Sequence, residues 1–195
     1  MRILVMAEYG LQQALLGLSL SYNVTSKVEP EILMVHMSRI ADRLAHKNNG
    51  ESKFLESIMV WLDIAAPRYW WQQFDTYRVG MTKQSQSTMH TITQRPLTQL
   101  DFQYKIPETY LDHLNNLLKY GKLEQLKNDL PEGYLQTRVV CCSYAALQRI
   151  YRQRANHKLL EWRLFCSEVL KGVKRPHYIK EDKECPTSTS TTSSS

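Results

Sequence analysis

The stretch from Phe54 to Arg78 constrains the fold of this chain more than any other. Phe54 opens a short helix, after which Ile58, Val60, Leu62 and Ile64 recur at every second position. That is the period of a strand with one buried face. Ala66-Pro67 ends the alternation, and Arg68-Tyr69-Trp70-Trp71-Gln72-Gln73-Phe74 follows. Proline is tolerated in a first helical turn, so Pro67 reads as the opening of an aromatic helix. One continuous segment thus supplies both a strand and a helix.

The rest of the chain alternates in the same way. Ile3 to Met6 reads as a short strand, and Leu11 to Leu20 as a helix with Leu11, Ala14, Leu15 and Leu18 on one face. A helix beginning at Pro30 carries Ile32, Val35, Ile40 and Leu44 and ends at Asn48-Asn49-Gly50. Thr76 to Ser87 is a polar segment. A helix from about Pro107 to Lys127 carries Leu111, Leu114, Leu117, Leu118 and Leu123, and Leu130-Pro131-Glu132-Gly133 makes a turn. Tyr134 to Cys142 reads as a buried strand. Two helices follow, Tyr144 to Arg154 and Lys158 to Lys171, broken near Asn156. The expected architecture is a helix-rich α/β (α+β) chain with a small sheet. With 195 residues, 43% of them hydrophobic, it suffices for one domain, set here at residues 1–180. Residues 181–195 are charged and then Ser/Thr-rich, with almost nothing apolar to bury, so a disordered tail is expected.

Several classes are excluded. The seven glycines are spread thinly and form no phosphate-binding loop, which removes Rossmann and P-loop readings. No run approaches the roughly 20 apolar residues of a membrane span. Glu8, Gln12 and Gln13 interrupt the apolar N-terminus, so no signal peptide is read. A cytoplasmic protein is expected, with Asn23-Val24-Thr25 a chance sequon. Cys141, Cys142, Cys166 and Cys185 lack C-x-x-C spacing and read as reduced thiols. No metal set, Ser-His-Asp or Cys-His group stands out, and no covalent nucleophile. Of the histidines, His90 and His157 lie beside the two unusual segments, and His36 and His46 fall on helices.

Lys and Arg number 25 against 19 Asp and Glu, a formal net charge of +6. From Arg149 to Lys180 there are nine Lys or Arg against two Glu. Arg149 and Arg152, three apart, share a helix face. Such a face suits the phosphates of a nucleotide or a nucleic acid, or simply water. The aromatic segment is the second unusual stretch. Its rings can stack on a base or a flavin, or pack a core, and the Arg, Ser and Thr after it can donate to phosphate.

These two segments resemble one family, the flavin-dependent thymidylate synthases. Asn49-Gly50-Glu51-Ser52-Lys53-Phe54-Leu55-Glu56 is similar to the family's Gly-His-x-Ser-x-x-Glu stretch. After Ala66-Pro67, Gln73-Phe74-Asp75-Thr76-Tyr77-Arg78 stands where the family has Gln-Trp-x-Arg-His-Arg. Ser85 or Ser87 falls at the serine of the nucleotide loop, and Leu130-Pro131 matches the family's Leu-Pro. Ser143 takes the place of an Asn at the end of a strand, and Arg154 follows eleven residues on, the family's own spacing. His157 and Glu161-Trp162-Arg163 resemble its His and Glu-Ile-Arg. The likeness spans roughly residues 1 to 172. Arg-His-Arg has become Thr76-Tyr77-Arg78, however, and a neutral Tyr replaces neither imidazole nor guanidinium.

What the resemblance implies is a flavin-dependent enzyme that reductively methylates dUMP to dTMP. FAD would be its cofactor, with NADPH and methylene-tetrahydrofolate as co-substrates, in a homotetramer with shared active sites. By position, Arg154 is the pyrimidine contact and catalytic residue, and Gln73, Tyr77 and Arg78 fall at cofactor-contacting positions. Ser85, Ser87, Lys127, Ser143 and Arg154 fall at nucleotide-contacting ones. Lys127 replaces an Arg and so keeps its charge without the bidentate fork. Two other readings stand beside this one. The first is a non-catalytic nucleotide- or nucleic-acid-binding protein on the same fold. The second is an oligomeric accessory protein with exposed Trp70 and Trp71 as its interface.

Overall fold

The computed structural model describes residues 1–22, 30–47 and 50–181. Four strands, β1 (Arg2–Tyr9), β2 (Met59–Pro67), β3 (Met81–Ser85) and β4 (Leu135–Ser143), form one antiparallel sheet in the order β1-β2-β4-β3. The helices are α1 (Leu11–Leu20), α2 (Pro30–Leu44), α3 (Arg68–Phe74), α4 (Thr88–Thr91), α5 (Glu108–Lys119), α6 (Leu123–Asp129), α7 (Tyr144–Arg154) and α8 (Leu160–Gly172). The result is the expected helix-rich α/β architecture with a small sheet. The expected tail, the Asn23 sequon, Cys185 and the Asn48-Asn49 helix end lie outside the described residues.

The alternation that opens the sequence sets the core. Val60, Leu62 and Ile64 are fully buried, whereas Trp61 between them is exposed. Across the pair, Val60 faces Cys142 and Leu62 faces Val140. These rows meet α1, α2, α7 and α8 in the main apolar cluster. A second, smaller cluster gathers Phe102, Leu114, Leu126 and Tyr134 beneath α5 and α6.

Three expectations need correction. Trp70 and Trp71 are buried, at 0% and 1% exposure, so they are no exposed interface. Trp70 packs against Phe74, Trp162 and Phe165 with ring centroids 4.8–5.6 Å apart. The segment from Thr76 to Ser87 contains a strand, β3. As a short edge strand it buries little, and its composition stays polar. The helix read from Pro107 to Lys127 is two helices. Gly121, at φ 68°, takes the left-handed conformation, with the Gly121 N–H donating to Leu118 O and the Lys122 N–H to Leu117 O. That pattern closes a helix end although the leucine spacing runs on.

The last turn of α8 crosses β1 with no room for a side chain. A Cβ on Gly172 would stand 2.3 Å from Val5 Cγ2. Gly172→Ala therefore overpacks this crossing and lowers unfolding free energy by about 1–3 kcal/mol. Urea denaturation of the two proteins checks this, and an unchanged midpoint would contradict so close a crossing.

Candidate functional site

One indole holds three of the sequence-derived site residues together. Trp162, near the start of α8, is fully buried. A buried indole N–H usually finds an acceptor, and Nε1 donates to Gln73 Oε1 of α3 at 2.8 Å. The same ring lies under the Arg154 guanidinium, 4.7 Å from its centroid, and edge-on to Tyr77 at 5.9 Å. Arg154 Nε donates to the Tyr77 hydroxyl at 2.8 Å, and that hydroxyl donates to Gln153 Oε1 at 2.8 Å. A cation over an aromatic face is attracted by the ring quadrupole, and Trp offers the strongest such face. Gln73 Nε2, by contrast, has no partner among the described residues.

Beneath this group lies an ion cluster. Across the sheet Lys83 of β3 faces Val140 and Arg138 of β4 faces Ile64, and both of these partners are fully buried. Lys83 and Arg138 are themselves half-buried, with side-chain exposures of 16% and 15%. Asp75, just past α3, pairs with both: Lys83 Nζ at 3.0 Å and Arg138 Nη1 at 2.9 Å to each carboxylate oxygen. Arg138 also lies over Trp71, 4.3 Å from the ring centroid. Partial burial raises the Asp75 carboxyl, but the hydrogen bonds and charges of Arg138 and Lys83 outweigh it and hold the group below the ordinary carboxylate range. None of the three stands out in the sequence, because what joins residues 75, 83 and 138 is sheet pairing.

Among the described residues no hydrogen bond or cation–ring contact joins Ser143, Arg78, Ser85, Ser87 or Lys127 to Trp162. Ser143 is buried, and its Oγ accepts the Ala146 N–H at 3.2 Å, capping α7. Arg154 ends the same helix, so about 16 Å of helix separates them. Arg78 is exposed in the turn after Tyr77. Val79 in that turn accepts a hydrogen bond from Arg149 at 2.9 Å. Ser85, the last residue of β3, pairs with Arg138 and is exposed. Ser87, also exposed, caps α4 through its carbonyl, and Lys127 reaches Met89 of that helix at 3.2 Å. His157 lies edge-on to Trp162 at 6.3 Å, with its pKa lowered by desolvation and by Arg154 and Lys158. Glu161 is buried and accepts the Tyr69 hydroxyl at 2.5 Å, a bond within the scaffold.

The thiols of the described residues are buried: Cys141, Cys142 and Cys166 are all free, and burial pushes the Cys166 thiol up to about 12. Among the described residues no three His, Cys, Asp or Glu side chains gather as a metal site would need. Nor is any described helix long and apolar enough to cross a membrane. Two clefts lie elsewhere. One of about 730 Å³ sits between α1 and the 50–57 turn, and one of about 510 Å³ lies beside Gln86, Arg95 and Asp101. Around buried Trp162, the side chains of Gln73, Tyr77 and Arg154 are each partly exposed in the single chain.

No family profile matches this sequence, and no curated protein matches it. Solved structures do. A flavin-dependent thymidylate synthase from Helicobacter pylori, complexed with FAD and dUMP, superposes with a TM-score of 0.76 at 17% identity, covering 93% of this chain and 99% of that one. A second structure of the Helicobacter pylori enzyme with FAD and dUMP gives 0.76 at 16% identity, covering 93% and 98%. The fold is that of the flavin-dependent thymidylate synthases. On this thymidylate synthase fold, Thr76-Tyr77-Arg78 occupies the loop between α3 and β3, and Asp75 beside it neutralises two cations of the sheet.

The Asp75 cluster makes stability depend on pH. A carboxyl held below its unfolded value, about 3.9, stabilises the fold above that pH and loses the effect as pH falls through its lower folded value. Asp75→Asn leaves Lys83 and Arg138 half-buried without their counter-charge. The urea midpoint of wild type should exceed that of D75N at pH 6, and the gap should close between pH 4 and pH 2. A gap that does not change with pH would contradict the ion cluster.

Proposed function

We propose that this protein is a flavin-dependent nucleotide-modifying enzyme of the thymidylate synthase type, acting on a dUMP-like pyrimidine nucleotide. The observation that carries this reading is the Trp162 group. Three positions that the resemblance assigns to ligand contact, Gln73, Tyr77 and Arg154, meet on one indole. On this reading Arg154, fixed by the ring and by the Tyr77 hydroxyl, presents charge to the pyrimidine. The Gln73 amide donates to a ring carbonyl, and exposed Arg78 meets phosphate. Ser85, Ser87 and Lys127 supply further phosphate donors, and Ser143 supports Arg154 by capping the helix that carries it.

The donor set fits a flavin nucleotide beside a pyrimidine: the exposed guanidinium of Arg78 suits a phosphate, and the unpartnered amide of Gln73 suits the carbonyl of the pyrimidine ring. Bound FAD would supply the hydride chemistry that no side chain here provides, with NADPH and methylene-tetrahydrofolate as co-substrates. The chain's own residues bind, orient and charge-match the nucleotide. Stable assembly of copies is part of the same reading. The sheet face away from the core exposes Leu4 (53%), Met6 (55%) and Trp61 (37%), an apolar patch of the kind that interfaces cover. A homotetramer would also enclose the partly exposed side chains around Trp162.

A second reading, a pyrimidine-nucleotide binder without flavin, is favoured by one observation. The Tyr77 hydroxyl is already committed to Arg154 and Gln153, where the family carries an imidazole. Purification separates the two. The first reading expects a yellow protein absorbing near 450 nm (roughly, as flavoproteins do) and a melting temperature raised by dUMP. At a hundredfold excess over Kd the ligand contributes about 2.7 kcal/mol. Arg154→Ala should abolish the shift. A colourless protein still stabilised by dUMP supports the second reading, and no response to FAD or dUMP overturns both.

A further inference from the structure

We infer that Trp162 is a positioning residue that sets which pyrimidine the site accepts, by locking the orientation of the Gln73 amide. The inference rests on the pyrimidine-nucleotide reading above. An amide side chain has an acceptor end and a donor end, and which of them faces a ligand decides what it recognises. An indole N–H is a donor only. Because Trp162 Nε1 lies 2.8 Å from the Gln73 amide, that neighbour must be the carbonyl oxygen. The two amide hydrogens of Gln73 therefore point away from Trp162, unpaired among the described residues, at a half-buried position.

A ligand group meeting this amide must be an acceptor. On this inference the amide lies against position 4 of the ring, where the carbonyl of uracil satisfies it and the amino group of cytosine sets donor against donor. Leaving a buried polar group unmatched is the stronger form of discrimination and is worth about tenfold or more in affinity. The lock is rigid because Trp162 has nowhere to turn. Its ring is fully buried, packed by Phe74 and Phe165 at centroid distances of 6.0 Å each, and covered by Arg154 at 4.7 Å. The same indole thus fixes the charge and the polarity of the contact.

Two substitutions separate orientation from packing. Trp162→Phe keeps a ring beneath Arg154 and removes the N–H, so Gln73 can present either end. Gln73→Glu keeps an acceptor for the indole and presents a second acceptor outward. Affinities for dUMP and dCMP, measured by calorimetry on the purified full chain, give the readout as a ratio. Wild type should favour dUMP by about tenfold or more. The ratio should fall to within about threefold in W162F, and Q73E should favour dCMP. A general loosening of the site would weaken both nucleotides alike and leave the ratio unchanged, and that result overturns the lock while leaving the nucleotide reading intact. If wild type binds neither nucleotide, the reading of the site fails and the inference falls with it. Should W162F not fold, the wild-type ratio decides together with Q73E: a wild type that binds dUMP and dCMP alike, or a Q73E that keeps the wild-type preference, overturns the lock.

Discussion

Trp162 is buried to its last atom and hands its indole N–H to an acceptor, whereas the equally buried Trp70 leaves its own unpaired, and the Trp162 bond is the contact around which the site is built. Trp162 is delivered by α8, and its acceptor, Gln73, is delivered by α3. The bond therefore joins two helices far apart in sequence. Trp70, Phe74 and Phe165 pack around it. Arg154 at the end of α7 then finds a flat aromatic seat, and Tyr77 closes over the edge. Aromatic burial supplies the rigidity, and a few polar contacts at its margin supply the orientation.

The charge of the chain takes a more definite form in this setting. The surplus between Arg149 and Lys180 is not one free basic face. Arg149 is tied to the Val79 carbonyl and to Glu56, Arg154 is stacked on Trp162, and Arg175 lies over Tyr178. Lys83 and Arg138 share Asp75. Several of the cations thus serve the scaffold, whereas Arg78 beside Tyr77 and Arg163 beside Trp162 remain exposed. Such an arrangement suits a small phosphate-bearing ligand better than the long phosphate track of a nucleic acid, which rewards many cations on one face.

Much of the fold was legible because local signals agreed with tertiary ones. The change of period at Ala66-Pro67 marks both β2 and α3, and the Leu11–Leu20 and Tyr144–Arg154 helices end where their patterns do. Where a partner decided the outcome, the pattern fell silent. β3 is polar because it lies at a sheet edge, and its identity comes from pairing with β4. A single glycine, Gly121, stops α5 inside an unbroken leucine repeat. For the site, family spacing pointed to Gln73, Tyr77 and Arg154, and it covered the residue on which they meet only as the middle of Glu161-Trp162-Arg163, with no role attached. Trp162 reads as an ordinary core aromatic, and only its N–H bond marks it out. Asp75, Lys83 and Arg138 were hidden for a similar reason, since each is unremarkable until the sheet brings them together.

The central claim is that Trp162 organises a nucleotide site, and the indole N–H itself reports on it. The chain has four tryptophans, so an amide-type NMR spectrum of nitrogen-labelled protein resolves few indole signals, and W162F assigns one of them. Titration with dUMP should move the Trp162 signal while leaving that of Trp61, on the far face of the sheet, in place. A Trp162 signal that stays fixed at saturating dUMP would contradict the account.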